Sequence, residues 1–235
     1  MRGNSGGREK GLVALLLAVA ILTTVATTLV IRQANAVRSS GNKITLTHQR
    51  LEAIRLSLVN YVTVNGRLPC PAQYNDALGD ALPQGSNNTC NVAAALTLST
   101  GSVPWNDLGM SSSEVLDGWG RKISYRVFAG DAIANAGKSI TVNDIDAVPP
   151  AVPNIAFVLI SHGETGYAAW SAAGTQLALA PLNAQEIANA GSGLAYFRRN
   201  FSGYFNPPVA PTDPAFFDDL VVYMTVNNVQ AAAGR

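Results

Sequence analysis

Charge is scarce in this 235-residue chain. Asp, Glu, Lys and Arg make up 13% of it, about half the usual share of a soluble domain, and the formal net charge is +1. No basic field remains that could hold a nucleic acid by its phosphates, so nucleic acid is not an expected partner. Cysteine is limited to Cys70 and Cys90, with no CxxC spacing and no neighbouring histidine, which gives no zinc-ligand pattern. Histidine occurs only as His48 and His162. His162 follows Ser161 directly, and adjacent side chains at a strand end diverge, so the two make no nucleophile–base pair.

Apparent catalytic motifs fall away on context. Gly3-Asn4-Ser5-Gly6-Gly7 has the letters of G-x-S-x-G but precedes an apolar stretch rather than forming a strand–turn–helix elbow. Ala132–Ser139 loosely matches a phosphate loop, yet a β-like Ile140–Val142 and two prolines follow where a helix is needed. Asn87-Asn88-Thr89 and Asn200-Phe201-Ser202 fit a glycosylation acceptor by letter alone. No enzyme is expected, and no cofactor. Asp144, Asp146, Glu164, Asp218 and Asp219 are oxygen donors of the kind calcium takes, but no EF-hand spacing joins them. No metal site is assigned. Trp105, Trp119 and Trp170 read as core or turn packing.

What the chain has in excess is apolar sequence near its N-terminus. Residues 12–31, LVALLLAVAILTTVATTLVI, lack charge, proline and glycine, and twenty helical residues span about 30 Å, the thickness of a bilayer core. Three readings fit: a secretory signal cut after Ala36, a plain uncleaved anchor, or a short basic leader cut after Gly11. Basic residues flank both ends, Arg2, Arg8 and Lys10 before and Arg32, Arg38 and Lys43 after, so charge does not fix an orientation. From Arg32 to Val64 the pattern is amphipathic, with Ile44, Leu51 and Leu58 seven apart and Ile54, Tyr61 and Val62 on the same face. Asn65-Gly66 ends that helix. A proline-rich loop follows, holding both cysteines. In an oxidising compartment they pair, closing a ~20-residue loop worth about 3 kcal/mol; in a cytosolic protein they remain thiols. Strand patterns then take over at Lys122–Phe128, Ile155–Ser161 and Leu220–Val226, with a helix expected within Leu182–Arg199 and a short one at Val92–Leu96.

The junction Gly11-Leu12, the stretch Gly66-Arg67-Leu68-Pro69, the turn Asp117-Gly118-Trp119-Gly120 leading into Ile123–Val127, and Ile160-Ser161-His162-Gly163-Glu164-Thr165-Gly166 occur in that order. Together they resemble the type IV pilin and type II secretion pseudopilin superfamily. The resemblance implies an α+β fold: a long N-terminal transmembrane and amphipathic helix followed by a small antiparallel β-sheet domain. It implies a leader over 1–11, a helix over 12–65 with its membrane span at 12–31, and a globular domain over 66–235. It also implies cleavage by prepilin peptidase between Gly11 and Leu12, methylation of the new amine, and assembly with other pilin subunits through the helix positions Leu12, Leu16 and Ala18. The expected location is the inner membrane, single pass, with the globular domain in the periplasm or at the cell surface. Leu12 and Leu16 stand where most members carry Phe and Glu, which implies a minor rather than a major subunit. A signal-anchored or secreted periplasmic protein with binding or hydrolytic activity is the alternative.

Overall fold

A computed structural model of the chain describes residues 6–82, 90, 98–128, 140–177, 183–191, 193–199, 213 and 216–234. The side chains of 6–18, 20, 29–31, 33–37, 98, 99 and 128 lie outside that description. The chain forms two compact units, Met1–Asn42 and Lys43–Arg235.

Helix α1 covers Gly6–Asn65. In the first unit its described side chains include Val19, Ile21, Leu22 and Val25, all more than half exposed. Thr24 and Thr28 donate their hydroxyls to Ile21 O and Val25 O, each at 2.8 Å, and Thr27 bonds Thr23 O. These hydroxyls thus spend their donors on the helix itself. Among the described residues, no helix is long and apolar enough to cross a membrane. This overturns the expected span over 12–31 and, with it, the single-pass inner-membrane placement. The described side chains of that stretch are Val19 and Ile21–Thr28. Among these, Thr23, Thr24, Thr27 and Thr28 dilute the apolar character that a bilayer core requires. Gly11 and Leu12 have helical backbone, while their side chains and those of Leu16 and Ala18 fall outside the described residues.

In the second unit α1 buries Leu51, Ile54, Leu58 and Val62 completely, each worth roughly 1.5–3 kcal/mol relative to exposure. Gly66, at φ 73°, closes the helix by donating its N–H to Val62 O at 2.8 Å. The Cys70–Cys90 disulfide is formed, across a separation of 20 residues. The strands then follow: β1 (Leu98–Ser102), β2 (Arg121–Lys122), β3 (Ser124–Phe128), β4 (Ile140–Asp144), β5 (Ala151–Ser161) and β6 (Trp170–Ser171). Helix α2 (Ala184–Ala190), β7 (Ala195–Arg198), β8 (Leu220–Thr225) and α3 (Val226–Ala232) complete the order.

The main sheet runs β1-β3-β5-β4-β7, with β8 also on β5, and β2 pairs β6 apart from it. Strand β5 is its axis. Ile155–Ser161 is buried throughout, because Phe157 and Leu159 pack towards the α1 side while Ile155, Val158 and Ile160 join a second cluster with Ile140, Val142, Tyr196 and Val221. A register shift between Ile155 and Phe157 accommodates the change. The sheet is mixed, not antiparallel as expected: β7 lies parallel to β4. Chain order supplies the reason. Between β4 and β7 the polypeptide passes through β5, β6 and α2, a connection long enough to return in the same direction. The strand expected at Lys122–Phe128 is two, since Lys122 pairs with Trp170 of β6 while Ser124 pairs with Ile160 of β5. The short helix expected at 92–96 and the loose phosphate-loop match at 132–139 lie outside the described residues.

Candidate functional site

The Asp117–Gly120 turn and the Ser161–Gly166 loop meet at the C-terminal end of β5. Asp117 is 1% exposed. Its Oδ1 accepts the N–H groups of Trp119 and Arg121, each at 2.9 Å, and its Oδ2 accepts the Ser161 hydroxyl at 2.8 Å. Burial raises its pKa, opposed by the hydrogen bonds of Arg121 and Ser161. Gly118 lies so close to α1 that a Cβ there would meet Lys43 O at 2.2 Å, and its N–H bonds Thr47 Oγ1 at 2.8 Å. The turn therefore clamps β5 and the helix together. Arg121 donates to the carbonyls of Gly163 and Glu164, fixing the loop that follows β5.

Under that loop sit three buried carboxyls. Glu186, Asp218 and Asp219 each place a carboxylate oxygen within 4.8 Å of the other two, and none is more than 4% exposed. Asp218 accepts Thr165 N at 2.7 Å and Thr165 Oγ1 at 3.1 Å, while its own N–H donates to Glu186 Oε1 at 2.8 Å. Asp219 meets His162 Nδ1 at 3.3 Å and accepts Asn189 Nδ2 at 2.9 Å. Burial, then the Asp219 charge, pushes Glu186 up to about 8. Burial likewise lifts Asp218 to about 6, against the Thr165 N–H that favours its ionised form. Glu186 therefore retains its proton near neutrality.

The cluster's metal-holding capacity is restricted. Calcium takes six to eight oxygens, and among the described residues Thr165 is engaged with Asp218, and Asn189 with the backbone N–H and carbonyl of Phe197. Asp144 and Asp146, also potential donors by sequence, lie elsewhere, paired with Arg198 at 2.7 and 3.8 Å. Asp144 is held below its usual value despite burial, chiefly by the Asp146 N–H and then by Tyr223 and Arg198. Asp218 and Asp219 do come together, but their third partner is Glu186 rather than Glu164, whose carbonyl is taken by Arg121.

Glu186 was missed by sequence reasoning although a signal exists. Asn183-Ala184-Gln185-Glu186 has the spacing of a capping box, and Asn183 does cap α2 by accepting Gln185 N at 2.7 Å. Glu186 leaves that motif and bonds Asp218 instead.

A polar chain extends from the cluster across the sheet. Ser124 Oγ lies 3.4 Å from His162 Nε2, and Ser124 accepts the Tyr74 hydroxyl at 3.0 Å. Arg126 donates to that hydroxyl at 2.6 Å, and Tyr74 stacks on Trp170 at 4.5 Å. Ser124, His162 and Asp219 thus stand in the order of a nucleophile, base and orienting acid, although Ser161 and His162 remain apart. The three are at most 4% exposed. Their separations of 3.3 and 3.4 Å are longer than a working relay's. Trp105 and Trp119 pack with the α1-side core; Trp105 also lies 4.8 Å beneath the Lys122 ammonium, and burial lowers that lysine's pKa.

No family model, curated protein or solved structure matches the chain.

Proposed function

We propose that the chain is a structural subunit of a pilin-like filament, a minor pilin or pseudopilin, assembled by packing its α1 helix against the helices of neighbouring subunits. One observation carries the reading. Opposite its buried face, α1 in the second unit presents Leu46, Gln49, Ala53, Leu56, Asn60, Thr63 and Val64, all exposed. They form a stripe about 100° wide without a charge. Leu56 is 54% and Val64 82% exposed. A helix with one apolar face in its own core and a second neutral face outward is built for two sets of neighbours. The sequence motifs support the same reading, including processing between Gly11 and Leu12 by a prepilin-type peptidase.

The test is Leu56→Glu in the full chain. The fold is expected to persist, with the melting temperature within about 3 °C, while incorporation into filaments falls at least tenfold. Undiminished incorporation overturns the reading. The hydrolytic alternative has one observation in its favour, the order Ser124–His162–Asp219. Labelling of Ser124 by a fluorophosphonate, abolished in Ser124→Ala, is the result that supports it.

A further inference from the structure

The second apolar cluster holds a charge that no described acid balances. Arg126, on β3, is 3% exposed. It pairs across the sheet with Val158 of β5, a member of that cluster, and such partners share a face. A guanidinium cannot escape burial by losing its proton. No carboxylate among the described residues forms an ion pair with it. Its one described hydrogen bond runs from Nη1 to the Tyr74 hydroxyl at 2.6 Å, and its Nε has no partner. The buried acids of the candidate site are three side chains away, beyond Tyr74, Ser124 and His162. The hydroxyl of Tyr196, on β7, is a second buried group without a partner. Tyr196 belongs to the same cluster and is fully buried. It stands near enough to Arg126 for each charge to act on the other, yet no hydrogen bond joins them. Buried polar groups are hydrogen-bonded as a rule, and buried charges are paired. Here two neighbouring donors, one of them cationic, have neither acceptor nor counter-charge.

We propose that Arg126 Nε and the Tyr196 hydroxyl bind a halide ion, such as chloride, between β3 and β7. The donors and their enclosure set the class of ligand. A cationic N–H beside an O–H calls for an acceptor that is itself negative. A water molecule accepts from both donors but leaves the guanidinium without a counter-charge. A phosphate or sulfate brings four oxygens, and the cross-strand neighbours of the two residues, Val158 and Val142, offer no side-chain donor to them. A monatomic anion needs none. The bound ion ties β3 to β7, two strands with β5 and β4 between them in the sheet order. This site is independent of filament assembly.

The experiment follows thermal unfolding of the full chain in sodium bromide, chloride or gluconate at matched ionic strength, up to about 200 mM. A saturable rise in melting temperature of about 3 °C or more with either halide, and not with gluconate, is expected. Tyr196→Phe removes one donor while keeping the ring and the charge, and should raise the halide concentration for half the effect about fivefold or more. Arg126→Met should abolish the halide response; where that variant does not fold, Tyr196→Phe decides. Crystals grown in bromide should show an anomalous peak in contact with Arg126 Nε and Tyr196 Oη. An equal response to gluconate overturns the proposal, as does a halide response unchanged in Tyr196→Phe. A bromide crystal with only a water, or nothing, at that position overturns it too.

Discussion

Replacing Glu186 by glutamine separates protonation from shape. Glu186 is 3% exposed, beside Asp218 and Asp219, and its pKa stands at about 8 against 4.5 for the free group. The folded protein therefore holds a proton on this side chain, between those two values, that the unfolded chain has released. Stability from this group is fully present below about pH 4.5, falls as pH rises, and is gone above about pH 8. At ~1.4 kcal/mol for each tenfold change in proton affinity, the window is worth on the order of 4 kcal/mol. Coupling to Asp218, raised to about 6 by the same burial, spreads the loss over a broader range in the same direction.

Glu186→Gln keeps an oxygen for the Asp218 N–H and never ionises. We expect wild type and variant to agree within about 1 kcal/mol near pH 4, and the variant to be more stable by about 2–4 kcal/mol near pH 9. Urea unfolding followed by tryptophan fluorescence at a series of pH values measures the difference. Parallel stability profiles, or a variant weaker by a constant amount at every pH, would refute the argument that a buried proton holds the cluster together.

Other substitutions test the surrounding frame. Gly163→Ala should destabilise by about 2–4 kcal/mol in thermal melts, because Gly163 has φ 55° and an added Cβ meets Asp218 O at 2.1 Å. Asp117→Ala leaves the Trp119 and Arg121 amides and the Ser161 hydroxyl without their acceptor; a loss of about 3 kcal/mol or more is expected in denaturant titrations. Removing the disulfide with Cys70→Ser and Cys90→Ser should cost about 3 kcal/mol, seen as a lower urea midpoint that reductant no longer shifts. Calcium at about 5 mM should move the wild-type melting temperature by less than 1 °C. A larger rise, absent in Glu186→Gln, would make the carboxyls a metal site.

Much of the fold was readable where one physical rule acts over consecutive residues. The heptad Ile44, Leu51, Leu58 places α1 on the core, and Gly66 ends it as its left-handed preference requires. The unbroken apolar run Ile155–Ser161 announces the central strand. Legibility failed where the outcome depended on distant partners. The parallel placement of β7 rests on the path through α2, which no local pattern encodes. Thr225 reads as a strand residue, yet it caps α3 by accepting Asn228 N. Glu186 carries a capping signature and spends it elsewhere. The long apolar stretch led to a membrane span that the described helix does not support. The site divided the same way: Asp117, Gly118 and Gly163 were visible as turn residues, but nothing local foretold that Asn189 and Glu186 would meet Asp219.

The amide of Asn189 has a consequence for growth by sheet extension. It donates to Phe197 O and accepts from Phe197 N, at 2.9 and 2.8 Å, doing for β7 what a neighbouring strand would do. At the opposite margin, β1 exchanges bonds with Ala72 through Ser102, so that edge too is partly occupied. Both ends of the path from β1 to β7 are therefore blunted against another sheet edge. Edge-to-edge pairing of whole sheets through these two margins is thereby disfavoured, because neither keeps a full row of free N–H and C=O groups.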